Sequence, residues 1–280
     1  MKSDRVIVIG AGVFGHMAAA ALRSIGWEVV VYDSPQHRKN SGSVPSAGLM
    51  KPTWLMSEVV FGKGLTKHQI EDSLELVDRF YGTEEYTFHL PLKRTWNIVR
   101  MNMERLLAAS YSEGTATKVA PGRAWITDGK QSWCEEGVII VAAGYQSRFL
   151  VDGLQKMKGK RGVAFYLRSP QLTQDRIIPW APYKIIKAIH LPGGEYWCGD
   201  STSILQEHWS LFQEETSLNR VKSKLGLKTI TSQRSLTGVR PDLPEGFRRL
   251  DKNLFLCTGA NKNGCAMSGV YARLLMEALS

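Results

Sequence analysis

The hydrophobic pattern at the start of the chain predicts a strand, a helix and a second strand. Two apolar runs, residues 6–9 and 29–33, flank an alanine-rich stretch that ends at Gly26. A third apolar run begins at Val138 and ends at Gly144. Short continuous apolar runs of this kind are typical of buried parallel strands, and their alternation with a helix indicates a doubly wound sheet.

The remaining pattern predicts shorter elements. In chain order these are a helix over 66–81, a helix over 102–112, a hairpin from 125–127 and 131–134, strands at 163–167, 184–190 and 196–198, a helix over 206–225, a strand at 254–257 and a helix over 270–279. The short strands between turn signals favour an antiparallel sheet with a helix across it.

These elements predict an α/β protein in which a Rossmann-like doubly wound domain is interleaved with an antiparallel-sheet domain for the substrate. The predicted boundaries give 1–55, 100–158 and 236–280 to the first domain. They give 56–99 and 159–235 to the second.

The glycines after the first strand predict a dinucleotide cradle. Gly10 permits a tight turn, Gly12 lets the backbone approach a pyrophosphate, and Gly15 lets helix and strand pack closely. Asp33 ends the second strand, where a carboxylate accepts hydrogen bonds from a ribose diol and disfavours a 2′-phosphate. The alternative is a glycine turn that binds no ligand.

Length and composition indicate an ordinary globular protein. The chain has 280 residues, 43% of them hydrophobic and 22% charged, and no apolar run approaches the length of a membrane span. Because the chain begins on a core strand, we expect no secretory signal and a cytoplasmic location. The four cysteines show no CxxC pair and no metal-like spacing with the histidines, so we expect reduced, mostly buried thiols and no metal.

The charge is unusual, with a formal net charge of +10. Four basic residues, Lys156, Lys158, Lys160 and Arg161, fall within one short segment. This segment is either a solvated basic surface or the contact for a polyanionic partner. Such a partner would be nucleic acid or, less readily, an anionic membrane surface.

Five stretches resemble the D-amino acid oxidase and glycine oxidase family of FAD proteins. They are Ile9-Gly-Ala-Gly-Val-Phe-Gly15, Ser46-Ala-Gly-Leu49, residues 138–144, Leu236-Thr-Gly-Val-Arg-Pro241 and Leu256-Cys-Thr-Gly-Ala-Asn-Lys-Asn-Gly264. The resemblance covers nearly the whole chain. It implies that the first domain binds FAD, with adenosine near Asp33 and the isoalloxazine near Gly48 and the 260–264 loop.

The same resemblance implies the cofactor contacts. They are Gly10, Gly12, Val13, Phe14, Gly15, Asp33, Ser43, Ser46, Ala47, Gly48, Leu49, Val119, Ala143, Gly144, Gly259, Asn261, Lys262, Asn263 and Gly264. The chain departs from the family in having Asp33 where glutamate is common and Ala260 where an aromatic or histidine is usual. It is also short for the family, which indicates a trimmed cap and an open site.

The resemblance assigns the catalytic roles to two cations. Arg240 matches the family's carboxylate-binding arginine, whose planar fork suits bidentate pairing. Lys262 stands where glycine oxidases carry a second cation. The alternatives are a buried structural ion pair for Arg240 and a solvated loop side chain for Lys262. Four aromatic residues of the second domain either wall the pocket or belong to the core: Trp180, Tyr183, Tyr196 and Trp197.

Two kinds of substrate fit these observations. The plain interpretation is a free glycine, sarcosine or D-amino acid. The favoured hypothesis is a carboxymethylamino group on a nucleobase of DNA or tRNA, as in the nucleic-acid-modifying relatives of the family. Its expected contacts are Lys158, Lys160, Arg161 and Tyr183. The competing classes are a non-catalytic flavin-binding scaffold and, less favoured, an NAD-linked dehydrogenase.

Overall fold

The structure is a computed structural model. It describes residues 5–43, 46, 48–50, 59–60, 63–90, 94–181, 184–200, 203–243, 246–259 and 264–280, with the backbone alone described at 59, 86–90, 94–97, 179–181 and 184.

The helices and strands alternate at both ends of the chain, and strands dominate its middle. The helices are α1 Val13–Ser24, α2 Pro35–Lys39, α3 Lys67–Tyr81, α4 Met103–Leu107, α5 Leu211–Leu225 and α6 Gly264–Leu279, with 3₁₀ turns at Gly144–Phe149 and Gln206–His208. The strands are β1 Arg5–Ile9, β2 Glu28–Asp33, β3 Leu49–Met50, β4 Val59–Val60, β5 Lys63–Gly64, β6 Thr83–Leu90, β7 Arg94–Met101, β8 Ser112–Glu113, β9 Thr115–Ala120, β10 Arg123–Thr127, β11 Ser132–Glu136, β12 Val138–Val141, β13 Gly159–Arg168, β14 Arg176–Ala181, β15 Lys184–His190, β16 Tyr196–Gly199, β17 Ile204–Leu205, β18 Ser232–Pro241, β19 Phe247–Asp251 and β20 Leu254–Cys257.

The first domain is built on a six-stranded sheet in the order β19-β20-β12-β1-β2-β8. The pairs are parallel except for β19, which runs antiparallel to β20. Side chains alternate along β1, so Val6 and Val8 pack against the helices on one face. Ile7 and Ile9 pack on the other face against the small antiparallel sheet β9–β11. This arrangement confirms the predicted doubly wound α/β class.

The helical layer brings the two ends of the chain together. α1 packs against α6, and α6 packs against α3. Ser73 of α3 donates a hydrogen bond to the Ala266 carbonyl of α6, and Tyr81 donates to the His16 carbonyl of α1. Within the described ranges, no helix is long and apolar enough to cross a membrane.

The second domain is an antiparallel sheet in the order β14-β15-β16-β13-β17, with β18 paired along the whole of β13. One face of this sheet packs against α5 through residues such as Phe165, Cys198 and Val221. The opposite face, termed here the open face, carries Lys160 and Arg240, which are directly paired across β13 and β18. β18 crosses the predicted boundary at residue 236, so the return to the first domain begins after Pro241.

Two predicted helices are shorter than the sequence indicates. The helix predicted over 102–112 ends at Leu107, because Ser112 pairs with Tyr32 at the edge of the central sheet. The helix predicted over 206–225 begins at Leu211, after a 3₁₀ turn. In the first case strand pairing outweighs local helical spacing, which is a tertiary effect.

Acid should destabilise the fold through His16 of α1, whose side chain is 2% exposed. Burial, with Arg38 and Arg23 nearby, lowers its pKa to about 4. Histidine titrates near pH 6.5 in an unfolded chain, so between pH 7 and pH 5 only the unfolded state takes up this proton. The wild type should therefore lose free energy of unfolding between pH 7 and pH 5. In His16→Leu we expect this loss to be smaller by about 2 kcal/mol. Urea denaturation at both pH values measures it.

The exposed His208 provides the matched control. The free energy of unfolding of His208→Leu should change between the two pH values as much as that of the wild type. Equal acid losses in wild type and His16→Leu would show that His16 does not carry the effect.

Candidate functional site

A cavity of about 430 Å³ lies where the carboxyl ends of the central strands meet the second sheet. Its lining on the first-domain side includes Gly10, Gly12, Val13, Phe14, Asp33, Ser43, Ser46, Leu49, Ala143, Gly144, Thr258, Gly259, Gly264 and Cys265. On the second-sheet side it includes Lys160, Arg161, Gly162, Lys187, Trp197, Gly238 and Arg240. β1 lies between β2 and β12, so this crevice is at the switch point where open α/β sheets bind ligands.

The three glycines of the cradle differ in what they do. Gly10 has a φ of +109°, and an added Cβ would lie 2.5 Å from the Ala142 carbonyl oxygen. At Gly15 an added Cβ would overlap the carbonyl oxygen of Gly10. At Gly12 it would meet only the Ser43 hydroxyl, at 3.2 Å. Gly10 and Gly15 are therefore required by packing, whereas Gly12 leaves backbone open on the cavity side.

The amino end of α1 points its amides at this cavity. Its N-cap residue is Gly12, which supplies no side-chain acceptor, and the Ser43 hydroxyl accepts the Val13 N–H at 3.0 Å instead. A helix leaves the N–H groups of its first turn without internal partners, and its dipole favours anions there. A glycine-lined helix N-terminus of this kind fits the phosphates of a dinucleotide.

Asp33 sits at the end of β2, beside the cradle. Its Oδ2 accepts the Ala11 N–H at 2.8 Å, and its Oδ1 accepts the Ser34 N–H at 2.8 Å. Burial raises the pKa of this carboxyl, while the two backbone hydrogen bonds favour its ionised form. Asp33 also lines a second cavity of about 90 Å³, together with Gln146 and Phe149. This carboxylate is fixed in place with acceptor sites remaining for hydroxyl groups.

The Ser46–Leu49 segment and the chain's tail meet at the far side of the cradle. Gly48 has a φ of +72°, and its N–H donates to the Ser46 hydroxyl at 3.1 Å. The Ser46 hydroxyl lies 3.6 Å from the Cys265 sulfur. A Cβ on Gly264 would lie 3.8 Å from the Val13 and Phe14 side chains. The C-terminal segment thus returns to the glycine cradle.

Arg240 enters the cavity from the open face. It lies opposite Lys160, and its Nη2 donates to the Ser203 hydroxyl at 2.6 Å. Burial lowers the pKa of this guanidinium, and the nearby Asp242 carboxylate opposes that shift. The next pair on the same face is Gly162 with Gly238, so the space beside the guanidinium holds no side chain from these two positions.

The predicted basic contacts take different positions. Lys160 lines the cavity and forms an ion pair with Asp242 at 2.7 Å. Arg161 lines it too, and its Nε donates to the Gln206 side chain at 2.8 Å. Lys158 is exposed on the surface.

Some predicted residues lie elsewhere. Val119, on β9, lines neither cavity and packs partly buried behind the central sheet. Gly15 and Gly48 also line neither cavity, and each packs closely against backbone, at the carbonyls of Gly10 and Met101 respectively. Ala47, Tyr183, Asn261, Lys262 and Asn263 lie outside the described residues.

Sequence reasoning missed several lining residues. Lys187 lies on the open face, between the buried Ile186 and Ala188 of β15. The alternation of apolar and polar residues along this strand could have identified Lys187 as lying on the face opposite the core. Ser203 and the loop of Asn40 to Gly42 carried no motif, because the β18 contacts that position them depend on the folded chain.

The fold is shared with several solved oxidoreductases. Glycine oxidase from Geobacillus kaustophilus aligns with a TM-score of 0.72 and 14% identity, covering 98% of this chain and 94% of that chain. Iminodiacetate oxidase from Chelativorans sp. BNC1 aligns with a TM-score of 0.64 and 14% identity, covering 97% and 94%.

A glycerol-3-phosphate dehydrogenase from Bacillus halodurans, solved as a complex with FAD, aligns with a TM-score of 0.65 and 15% identity, covering 98% of this chain and 64% of that chain. No protein-family model matches the chain, and no curated protein matches its sequence. At these identities the likeness establishes the fold.

Proposed function

We propose that this protein is an FAD-dependent oxidase of a glycine-type amine, with Arg240 as the clamp for the substrate's carboxylate. The observation that carries the proposal is that one cavity joins the glycine cradle to the Arg240 guanidinium. The fold shared with glycine oxidase and iminodiacetate oxidase supports it.

The first-domain residues fit the cofactor. The bare backbone at Gly12 and the amides of α1 would hold the pyrophosphate, and Asp33 would accept hydrogen bonds from the ribose. When bound, the flavin supplies the acceptor for the two electrons of C–N oxidation. The protein's own contribution is to place the substrate.

Placement is the work of Arg240. A guanidinium presents parallel N–H donors that match a carboxylate, and partial burial strengthens that pairing. Ser203 fixes one of its nitrogens through a hydrogen bond of 2.6 Å. Gly162 and Gly238 leave space beside it for the rest of the substrate. This arrangement suits a substrate whose carboxylate lies close to the oxidised C–N bond, as in an N-substituted glycine.

We further propose that the glycine-type group is a carboxymethylamino group on a nucleobase of DNA or tRNA. The net charge of +10 and the exposed Lys156 and Lys158 beside the start of β13 favour a polyanionic carrier. With the nitrogen attached through a methylene of the base, oxidation of the glycine Cα–N bond to an imine would pass two electrons to the flavin, and hydrolysis of the imine by water would release glyoxylate and leave an aminomethyl base. The alternative is oxidation of free glycine, sarcosine or a D-amino acid, for which the exposed lysines have no role.

The test compares glycine, sarcosine and an oligonucleotide bearing the carboxymethylamino base, with flavin absorbance and released glyoxylate as readouts. We expect glyoxylate chiefly from the oligonucleotide. For a single-stranded oligonucleotide with about three phosphate contacts, the affinity should fall roughly 20-fold when the salt concentration rises fourfold. Lys156→Ala/Lys158→Ala should reduce that salt dependence.

Turnover of glycine or sarcosine with weak, salt-insensitive oligonucleotide binding would establish the free amino acid instead. A yellow protein inactive on every substrate would favour a non-catalytic flavin-binding scaffold.

A further inference from the structure

A carboxylate lies close to the Arg240 clamp. Asp242 follows the last residue of β18, and its N–H donates to the Lys158 carbonyl at 2.8 Å, which continues the pairing with β13 by one residue. Residues two apart on a strand share a face, so Asp242 lies on the same side of the chain as Arg240. An aspartate in this position is a natural competitor for the guanidinium.

Asp242 pairs instead with Lys160. Lys160 is directly opposite Arg240 on β13, and its Nζ lies 2.7 Å from Asp242 Oδ1. Lys160 and Arg240 both line the cavity, whereas Asp242 does not. The carboxylate therefore has a cation partner other than Arg240.

Arg240 has a neutral hydrogen-bond partner. Its hydrogen bond goes to the Ser203 hydroxyl at 2.6 Å. No carboxylate of the described residues lies within ion-pair distance of its guanidinium. A hydroxyl is a weaker acceptor than a carboxylate. A substrate's carboxylate can therefore bind this guanidinium at a lower free-energy cost than if it had to displace an aspartate.

We propose that Lys160 is a positioning residue, which holds Asp242 so that Arg240 remains available to the substrate's carboxylate. The inference rests on the proposed function, since it assumes that Arg240 binds that carboxylate. If Lys160 is replaced by a neutral residue, Asp242 loses its cation and becomes free to pair with Arg240, which lies two residues before it on the same side of the chain.

The test uses the flavin-loaded protein and methoxyacetate, which carries a carboxylate but no C–N bond to oxidise. Calorimetry measures its Kd. We expect Lys160→Met to raise the Kd at least tenfold, which corresponds to about 1.4 kcal/mol. Asp242→Asn should leave the Kd unchanged or lower it. The double variant Lys160→Met/Asp242→Asn should return to within about threefold of wild type, because the competing carboxylate is gone.

Steady-state kinetics give an independent readout. Lys160→Met should raise KM with little change in kcat, since a competing ion pair weakens binding before and during the reaction alike. Lys160→Arg keeps a cation opposite Asp242 and should restore the wild-type values. If Lys160→Met does not fold, Lys160→Gln provides the same comparison with a polar side chain.

Two results would overturn the inference. An unchanged Kd in Lys160→Met would show that Asp242 does not compete. A double variant as weak as the single one would show that Lys160 contacts the anion itself. Failure of the proposed function looks different, because the wild type itself would then not bind methoxyacetate, whether or not it carries flavin.

Discussion

Replacing Arg240 with alanine should lower kcat/KM at least 100-fold while the protein stays yellow. The guanidinium lies in the cavity and is held by Ser203, so its loss removes a charge-assisted, bidentate contact and the orientation that contact provides. A 100-fold loss corresponds to about 2.7 kcal/mol of transition-state stabilisation. Flavin content should be retained, because the cradle around Gly12 is built by other elements. Glyoxylate release and the flavin spectrum measure the two quantities.

Arg234 offers a matched control on the same strand. It lies on the same face of β18 but is half exposed, where it pairs with Glu195 and stacks on Tyr166 at the far end of the sheet. Arg234→Ala should therefore keep kcat/KM within about twofold, as expected for a surface substitution. The kcat/KM of Arg240→Lys should lie between those of the wild type and Arg240→Ala, because lysine keeps the positive charge but lacks the two parallel N–H donors of the guanidinium. An Arg240→Ala enzyme with wild-type kcat/KM would remove the clamp from the proposed function.

The central sheet could be predicted from the sequence because its strands are almost wholly apolar. The runs at 6–9 and 138–141 have no polar residue and become the buried β1 and β12. The conformation of the shorter elements depends on pairing with strands that are distant in the sequence, so the local pattern does not predict it. The segment after Leu107 has helical spacing, but its two-residue strand β8 extends the sheet beyond β2.

The cradle could also be predicted from a local pattern, because its glycines stand where a side chain would clash with nearby backbone. An added Cβ at Gly10 or Gly15 meets backbone within the same turn or its neighbouring strand. The environment of Arg240 was not predictable in this way. Lys160 and Arg240 become neighbours only through the pairing of β13 with β18, which joins segments far apart in the sequence. Ser203 likewise reaches the guanidinium from a third segment.

Gly15→Ala should strongly destabilise the folded protein. The added methyl would overlap the Gly10 carbonyl oxygen, which is backbone at the turn between β1 and α1 and cannot move aside as a side chain does. Gly10 is itself confined by its φ of +109° and by the Ala142 carbonyl. Overpacking of a rigid core typically costs about 1–3 kcal/mol and occasionally more, a large part of the stability of an ordinary domain. Urea denaturation should show the loss, and the purified variant should carry little flavin.

Gly12→Ala separates the cradle's ligand role from its packing role. Gly12 has an ordinary φ of −81°, and a methyl there meets only the Ser43 hydroxyl. The apoprotein should therefore unfold within about 1 kcal/mol of wild type, close to the exposed control Gly64→Ala. Flavin affinity should nevertheless fall at least tenfold, because the methyl lies where the backbone must approach the pyrophosphate. Wild-type flavin affinity in Gly12→Ala would place the phosphates elsewhere, and wild-type stability in Gly15→Ala would contradict the packing argument.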